Sequence, residues 1–474
     1  MSRLPPWIVV LAVWAAIYLP ALGSFEIKGE EGRRILPATA MLESGNYLVP
    51  QVGSDIYFSK PPLLNWLVAA SIKLTGVRSE WTVRLPSVLA VLAAAIVFVT
   101  VGRATLGLTG SAIAALIWLT TFGIIEKGRL IEIEAVYVSL SVIATICWLS
   151  WWLGKRSPWL TWTVPWIFLG LGWLAKGPVH LIFFYAVVIA VLWQTKQMKT
   201  LLHPAHLAGI VIMAGIFAAW AIPFLQASGQ SRGLTKWSSQ FSGRSSPEYF
   251  NVRSMGWTLV RAIGQFLPWL MFVPFIRFAR FTDDNERRLA KGLAWSAALP
   301  VVIVSLFPVS AARYSLPAAA PLCWLLATVF CGNAFALFRS SSSDPLTTWS
   351  RIGLPLALVI ALGASIAFPV RAQLRSKSNK VKNVAEEVNR LVPVEEILYA
   401  IDPGYQPFLF YVRAKVRYLD HVEELPGAAR FVLIREPRGN KSPDSGKALP
   451  NARAIGHFTD YRGETVTVFE RPSS

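Results

Sequence analysis

The sequence is poor in charge. Of 474 residues only 15% are Asp, Glu, Lys or Arg, whereas 54% are hydrophobic; a soluble domain carries about 25% charge. That shortage excludes a soluble globular enzyme, a disordered chain and a nucleic-acid-binding module. Cysteine is scarce too. Cys147, Cys323 and Cys331 all lie in apolar runs, so neither a disulfide framework nor a thiolate metal site is implied. The five histidines, at 180, 203, 206, 421 and 457, are scattered without an HExxH spacing, which argues against a His-based metal site. No internal repeat is discernible.

Aromatic residues and basic residues are abundant. Twenty Trp and 26 Phe suit long membrane-interface belts. The net charge of +19 comes from 46 Lys and Arg against 27 Asp and Glu. In a chain this apolar, such an excess reads as basic loops that anchor spans and face anionic lipid.

A membrane span needs about 20 mostly apolar residues. Eleven stretches approach that requirement: 6–23, 85–106, 109–125, 135–153, 159–174, 178–194, 205–225, 257–276, 292–308, 314–337 and 352–370. A twelfth apolar stretch, 61–75, is flanked by Lys60 and Lys73 and reads as an interfacial helix, with a further or re-entrant span as the alternative. The first stretch has Arg3 before it but no small-residue cleavage pattern, so it reads as a retained helix rather than a signal peptide. The fold class expected is therefore a polytopic α-helical membrane protein of about 11–13 helices.

Placing the N-terminus in the cytoplasm puts Arg103, Lys155, Arg156, Lys196, Lys199, Arg277, Arg280, Arg287, Arg288, Lys291, Arg339 and Arg351 on the inside, as the positive-inside bias requires. Residues 24–84 and the tail from 371 then lie outside. The domains expected are 1–370, membrane-embedded with the extracytoplasmic loop 24–84, and 371–474, a small extracytoplasmic α/β domain. In the tail, a helical pattern covers Val381–Leu391. Strand-like runs follow at Glu396–Ile401, Val416–Leu419, Ala429–Ile434 and Thr465–Glu470, with Gly439–Gly446 as a loop.

Charged clusters recur at the outside ends of the spans. Residues 25–34 hold Glu26, Lys28, Glu30, Glu31, Arg33 and Arg34, and Tyr57-Phe58-Ser59-Lys60-Pro61-Pro62 follows. The Lys-Pro-Pro step fixes an extended approach to a helix; its Lys60 is either a cation held for a ligand or a snorkelling anchor. A second cluster, residues 126–134, holds Glu126, Lys127, Arg129, Glu132 and Glu134. Glu134 opens an apolar helix, where a carboxylate serves as a cap worth about 0.3–1 kcal/mol or as a functional group at membrane depth. Lys176-Gly177-Pro178, the loop 226–256 with Arg232, Lys236, Arg244, Glu248, Tyr249 and Arg253, and Arg313-Tyr314 complete the set. Carboxylates and cations on one side of a membrane suit an anionic lipid-phosphate donor together with a base that deprotonates an acceptor.

These residues resemble a known family. Glu30-Glu31-x-Arg33, Met41-Leu42-x-Ser44-Gly45-Asn46-Tyr47-x-Val49-Pro50, Tyr57-Phe58-x-Lys60-Pro61-Pro62-Leu63 and Arg84-Leu85-Pro86-Ser87 are similar to the polytopic GT-C glycosyltransferases. More narrowly, they resemble the bacterial branch containing the lipid A aminoarabinose transferase, which is related to protein O-mannosyltransferases. Gly128-Arg129-Leu130 with Glu134, Lys176-Gly177-Pro178, Phe266-Leu267-Pro268-Trp269 and Tyr314-x-Leu316-Pro317 resemble its later motifs. The family's first acidic motif usually begins Asp-Glu and its second is usually Asp; here they read Glu30-Glu31 and Glu134. Gln240-Phe241 stands where an Arg-Phe pattern is expected.

The resemblance implies transfer of one sugar, with inversion, from a polyprenyl-phosphate carrier to a lipid A, glycan or protein acceptor on the outer face of a bacterial inner membrane. It implies Glu30 and Glu134 as the catalytic carboxylates, Lys60, Arg33, Lys176 and Arg313 as donor-phosphate ligands, and Glu31, Arg129 and Tyr57 in support. No cofactor is obligatory in this reading, although a divalent cation is conceivable at a phosphate. A lipid-linked sugar transporter or flippase and a non-catalytic envelope assembly protein are the competing readings.

Overall fold

The computed structural model describes residues 5–52, 55–58, 60–229, 235, 250–332, 334–335, 346, 348–375, 380–436, 449, 451–460 and 462–472. In chain order the helices are α1 (Pro6–Tyr18), α2 (Gly32–Ser44), α3 (Leu63–Thr75), α4 (Glu80–Thr100), α5 (Arg103–Thr120), α6 (Phe122–Gly128), α7 (Ile133–Leu153) and α8 (Pro158–Ala175). There follow α9 (His180–Gln194), α10 (Pro204–Ser228), α11 (Val252–Gly264), α12 (Asp284–Ser305), α13 (Ala319–Cys331), α14 (Leu354–Arg375) and α15 (Lys380–Leu391). The chain divides into two compact units, Met1–Pro20 with Leu85–Phe368 and Ala21–Arg84 with Pro369–Ser474.

The first unit is helical, and most of its helices are apolar nearly all round, with α11 and the charged start of α12 as exceptions. Helices apolar all round are either buried among others or exposed to lipid, and both fates occur. Almost every side chain of α7 is buried, as are those of α13. By contrast α10 turns Leu207, Val211 and Ile222 outward, and α14 does the same with Leu358, Val359, Leu362 and Ile366. Proline occupies the first position of α1, α8 and α10, where its missing N–H costs nothing. Trp7, Trp159 and Trp193, close to helix ends, are more than half or half exposed, the placement of an aromatic belt.

Each of the eleven apolar stretches coincides with helix. Among the described residues, seven helical segments are long and apolar enough to cross a membrane: α4, α5, α7, α10, α12, Ala312–Cys331 and Trp349–Arg375. An eighth is formed if α11 and the turn Trp269–Phe275, bent by 92°, make one span. Pro6–Tyr18 and His180–Gln194 are shorter apolar helices. Besides the early end of α1 at Tyr18 and the break within 257–276, two boundaries differ from the hydropathy pattern. The stretch 109–125 is cut at Thr121, which is extended, and α6 starts after it. The stretch 314–337 begins as a 3₁₀ turn, Ala312–Ala318, because Pro317 cannot supply an amide inside an α-helix.

The second unit combines α2, α3, the N-terminal turn of α4 and the last turns of α14 with α15 and a sheet. Gly45 and Gly76 end α2 and α3 in the left-handed conformation, which glycine adopts without strain. Between these helices β1 (Gln51–Val52) and β2 (Asp55–Ile56) form a short antiparallel hairpin. The tail folds into five strands, β3 (Ile397–Ile401), β4 (Lys415–Leu419), β5 (Phe431–Glu436), β6 (Arg453–Thr459) and β7 (Thr465–Glu470), in the order β4-β3-β5-β7-β6. The pairs β4–β3 and β3–β5 are parallel, whereas β5–β7 and β7–β6 are antiparallel. Leu398, Ala400, Val432, Leu433, Val466 and Val468 are fully buried.

Buried polar contacts tie the two stretches of this unit together. Glu26 Oε2 accepts the amides of Val381 at 2.9 Å and Lys382 at 3.3 Å, capping α15. The Tyr411 hydroxyl accepts the Ile27 amide at 2.7 Å and donates to Glu80 Oε1 at 3.1 Å. Burial, with the Glu80 carboxylate beside it, pushes the Tyr411 phenol above its usual range, so the hydroxyl keeps its proton. Gly32 is needed where it stands: a Cβ there would meet the Tyr405 carbonyl oxygen at 2.7 Å. The expected helix and four expected strands of the tail all form. Strand β6 was not expected, and the Gly439–Gly446 loop lies outside the described residues.

Candidate functional site

Of the charged residues singled out by sequence, Glu30, Arg33 and Arg34 meet in the second unit, and Glu134, Lys176 and Arg313 meet in the first. In the second unit the chain turns at Gly29–Glu31 into α2, and the two adjacent carboxylates part company. Glu31 is buried and forms a bidentate pair with Arg84, Oε1 to Nε at 3.2 Å and Oε2 to Nη2 at 3.1 Å. Arg84, itself 2% exposed, also donates to the carbonyls of Leu22 at 2.9 Å and Phe25 at 2.8 Å. Every proton of this guanidinium faces an acceptor on its own unit, an arrangement that fixes the turn.

Glu30 is different. Its side chain is 49% exposed, with Arg33 Nη1 at 3.4 Å from Oε1 and Arg34 Nη2 at 3.8 Å from Oε2. It is a carboxylate within reach of solvent, flanked by two cations. Arg33 is also largely exposed, whereas Arg34 is nearly buried. Arg34 donates to the Tyr57 hydroxyl; its carbonyl accepts from Asn65 Nδ2 at 2.7 Å, on α3. Tyr57 packs edge-on against Tyr405 with ring centroids 5.5 Å apart. Lys60, in the Lys60-Pro61-Pro62 step before α3, is half-buried.

In the first unit Glu134, in the first turn of α7, is 6% exposed. Its Oε1 accepts from Lys176 Nζ and from Arg313 Nε, both at 2.9 Å. Lys176 follows the end of α8 in a turn whose Gly177 has φ +123°, a conformation that favours glycine. Its ammonium sits 4.0 Å from the Tyr314 ring centre and 5.1 Å from that of Tyr137, an aromatic setting suited to a cation. Nearby, Lys127 bridges Glu126 at 2.9 Å and Glu132 at 3.1 Å. Arg129 donates to the carbonyls of Ile17 and Pro20 and stacks over Phe368 at 3.7 Å, so its visible contacts fasten the end of α1.

Sequence reasoning named Arg34, Asn65, Arg84 and Tyr314 within its segments and motifs but gave them no role, and it overlooked Tyr137. Arg84 carried one signal, a single arginine in the first turns of an otherwise apolar span. Within the 226–256 loop, Arg253 is described and exposed in α11, whereas Arg232, Lys236, Arg244, Glu248 and Tyr249 lie outside the described residues, as does Gln240-Phe241. Among the described residues no group of three or more His, Cys, Asp or Glu side chains could hold a metal ion.

Residues 59–222 match the family model described as dolichyl-phosphate-mannose-protein mannosyltransferase. The undecaprenyl phosphate-alpha-4-amino-4-deoxy-L-arabinose arabinosyl transferase of Pectobacterium carotovorum is 27% identical over 374 residues, 76% of this chain and 66% of that protein. A transferase of the same name from Sodalis glossinidius is 29% identical over 68% of this chain and 58% of its own length. The alignments thus span about two thirds or less of these relatives. Among solved structures, ArnT from Cupriavidus metallidurans bound to undecaprenyl phosphate superposes with a TM-score of 0.69 at 17% identity, covering 98% of this chain and 97% of that one. Its apo form matches equally well. The chain is a sequence relative of these transferases, shares the fold of ArnT, and is a multi-pass membrane protein with a small C-terminal sheet domain.

Proposed function

We propose that this protein is an integral-membrane glycosyltransferase that moves a single sugar from a polyprenyl-phosphate donor to a lipid A, glycan or protein hydroxyl or phosphate. The observation that carries the reading is Glu30, a half-exposed carboxylate at the head of α2 between two arginines, within a motif set that resembles that of polyprenyl-phosphate-dependent enzymes. As general base, Glu30 takes the proton from the acceptor oxygen. That oxygen forms a bond to the anomeric carbon as the bond from this carbon to the phosphate oxygen breaks. The electron pair leaves with the polyprenyl phosphate, and a single displacement inverts the anomeric centre. Lys60 and Arg33 are assigned to the negative charge that grows on the leaving phosphate.

In the helical unit Glu134 is the second carboxylate of the reading. Its part is to hold Lys176 and Arg313, cations of the kind a lipid phosphate needs. A monophosphate leaving group can be neutralised by Lys and Arg, so no divalent cation is required. Turnover that survives chelation fits this assignment; abolition by chelation and rescue by a divalent ion contradicts it. The location is a bacterial inner membrane, with the N-terminus cytoplasmic and the tail outside.

The test is mass spectrometry of polyprenyl-phosphate sugars and lipid A from cells with the protein, without it, and with Glu30→Gln. Donor accumulation and loss of one glycan mass in both the deletion and the mutant identify a transferase and its sugar. A glycan that vanishes in the deletion and persists in the mutant removes Glu30 from the mechanism.

A further inference from the structure

We propose that Arg34 is the positioning residue of the Glu30 carboxylate. This rests on the reading of Glu30 as the base of the transfer. Two arginines face Glu30, and they differ in how firmly they are held. Arg33 is 45% exposed, and a solvent-exposed pair between mobile side chains fixes little. Arg34 is 9% exposed and pinned at both ends. Its backbone carbonyl is held by Asn65 and its Nη1 by the Tyr57 hydroxyl, and the Tyr57 ring rests on Tyr405.

Tyr57, from the segment before α3, thus holds this guanidinium directly, while Asn65 of α3 holds the backbone of the same residue and Tyr405 of the tail braces Tyr57. The second terminal nitrogen of Arg34, Nη2, faces Glu30 Oε2 at 3.8 Å. That distance gives charge attraction without a direct hydrogen bond, so Oε2 stays open to an acceptor proton, whereas Oε1 accepts from Arg33 Nη1 at 3.4 Å. The buried charge also needs a counter-ion. Arg34 Nε is buried without a hydrogen-bond partner, and Glu30 is the carboxylate paired with this guanidinium. The two groups therefore constrain each other, and Tyr57 sets the geometry of both.

The test reads Glu30 directly. Purified protein is labelled with a carbodiimide, and modification at Glu30 is followed by peptide mass spectrometry, with Glu31 as an internal control. In Arg34→Met and in Tyr57→Phe the labelling rate of Glu30 should rise about two- to fivefold, the range for loss of one partly exposed ion pair. Arg34→Lys should rise less, and Arg33→Met should have little effect. In transfer assays Tyr57→Phe should lower kcat by about tenfold with KM unchanged, the signature of a misaimed group. Unchanged labelling of Glu30 in Tyr57→Phe and in whichever Arg34 variant folds overturns the proposal. If the wild type transfers no sugar, the enzymatic reading fails, while the labelling still decides whether Arg34 holds Glu30.

Discussion

Glu30 and Glu31 are neighbours in sequence and opposites in chemistry. Glu31 is buried and paired bidentately with a buried Arg84; Glu30 is half-exposed beside two arginines. Breaking a buried pair from one side strands a charge and costs about 3–5 kcal/mol, whereas a surface substitution costs within about 0.5 kcal/mol. Arg84→Met should therefore lower the unfolding temperature in detergent sharply or prevent folding, while Glu30→Gln should leave it unchanged and still abolish turnover. A large thermal shift in Glu30→Gln would make its loss of activity a folding effect. The motif placed both carboxylates in one cluster, but it could not tell which faces outward. That depends on Arg84, 53 positions away. The same limit hid Arg34, whose role comes from Tyr57, 23 positions on. Glu134, Lys176 and Arg313 were each legible as charges beside apolar helices, and the fold adds that they share one oxygen atom, Oε1 of Glu134.

Elements were legible where the sequence repeats a physical demand along its length. The apolar runs of the spans and of β3 and β5, and the alternating Thr465-Val466-Thr467-Val468 of β7, announce themselves. Strand β6 does not, because most of its residues are exposed or half-exposed and it occupies a sheet edge, so no buried face imposes alternation. The cap of α15 was equally hidden, since the residue that satisfies its first amides is Glu26, more than 350 positions earlier. Helix N-termini favour a carboxylate that accepts free amides. Glu26→Ala should thus weaken the start of α15 by about 1 kcal/mol. Hydrogen exchange of the amides of Val381 and Lys382 should quicken about fivefold, with the amides of β5 and β7 unaffected. Equal protection of Val381 and Lys382 in the mutant would show that this helix start does not depend on Glu26.

At the scale of the whole chain, one element decides which side of the membrane each segment occupies. If α11 and the turn Trp269–Phe275 cross together, and α1, α8 and α9 cross beside the seven long segments, the crossing segments among the described residues number eleven and the two chain ends lie on opposite sides. If the 92° bend marks a re-entrant loop, the number is ten and the ends lie on the same side. The basic residues argue for crossing. Arg277, Arg280, Arg287, Arg288 and Lys291 follow the bent pair directly, and such a density of Lys and Arg belongs on the cytoplasmic side. The loop between α7 and α8, with Lys155 and Arg156, belongs there too. A topology reporter inserted at Gly154 should therefore read cytoplasmic, one at Asp283 cytoplasmic, and one fused at Ser474 extracytoplasmic. A cytoplasmic signal at Ser474 with an extracytoplasmic one at Asp283 would mean that the pair turns back within the bilayer. The signal at Glu30 is independent of that bend, which lies downstream of it in the chain. An extracytoplasmic signal there places the proposed base on the outer face, where a polyprenyl-phosphate donor must already have been translocated. A cytoplasmic signal would move the chemistry to the inner face and require a donor that has not crossed.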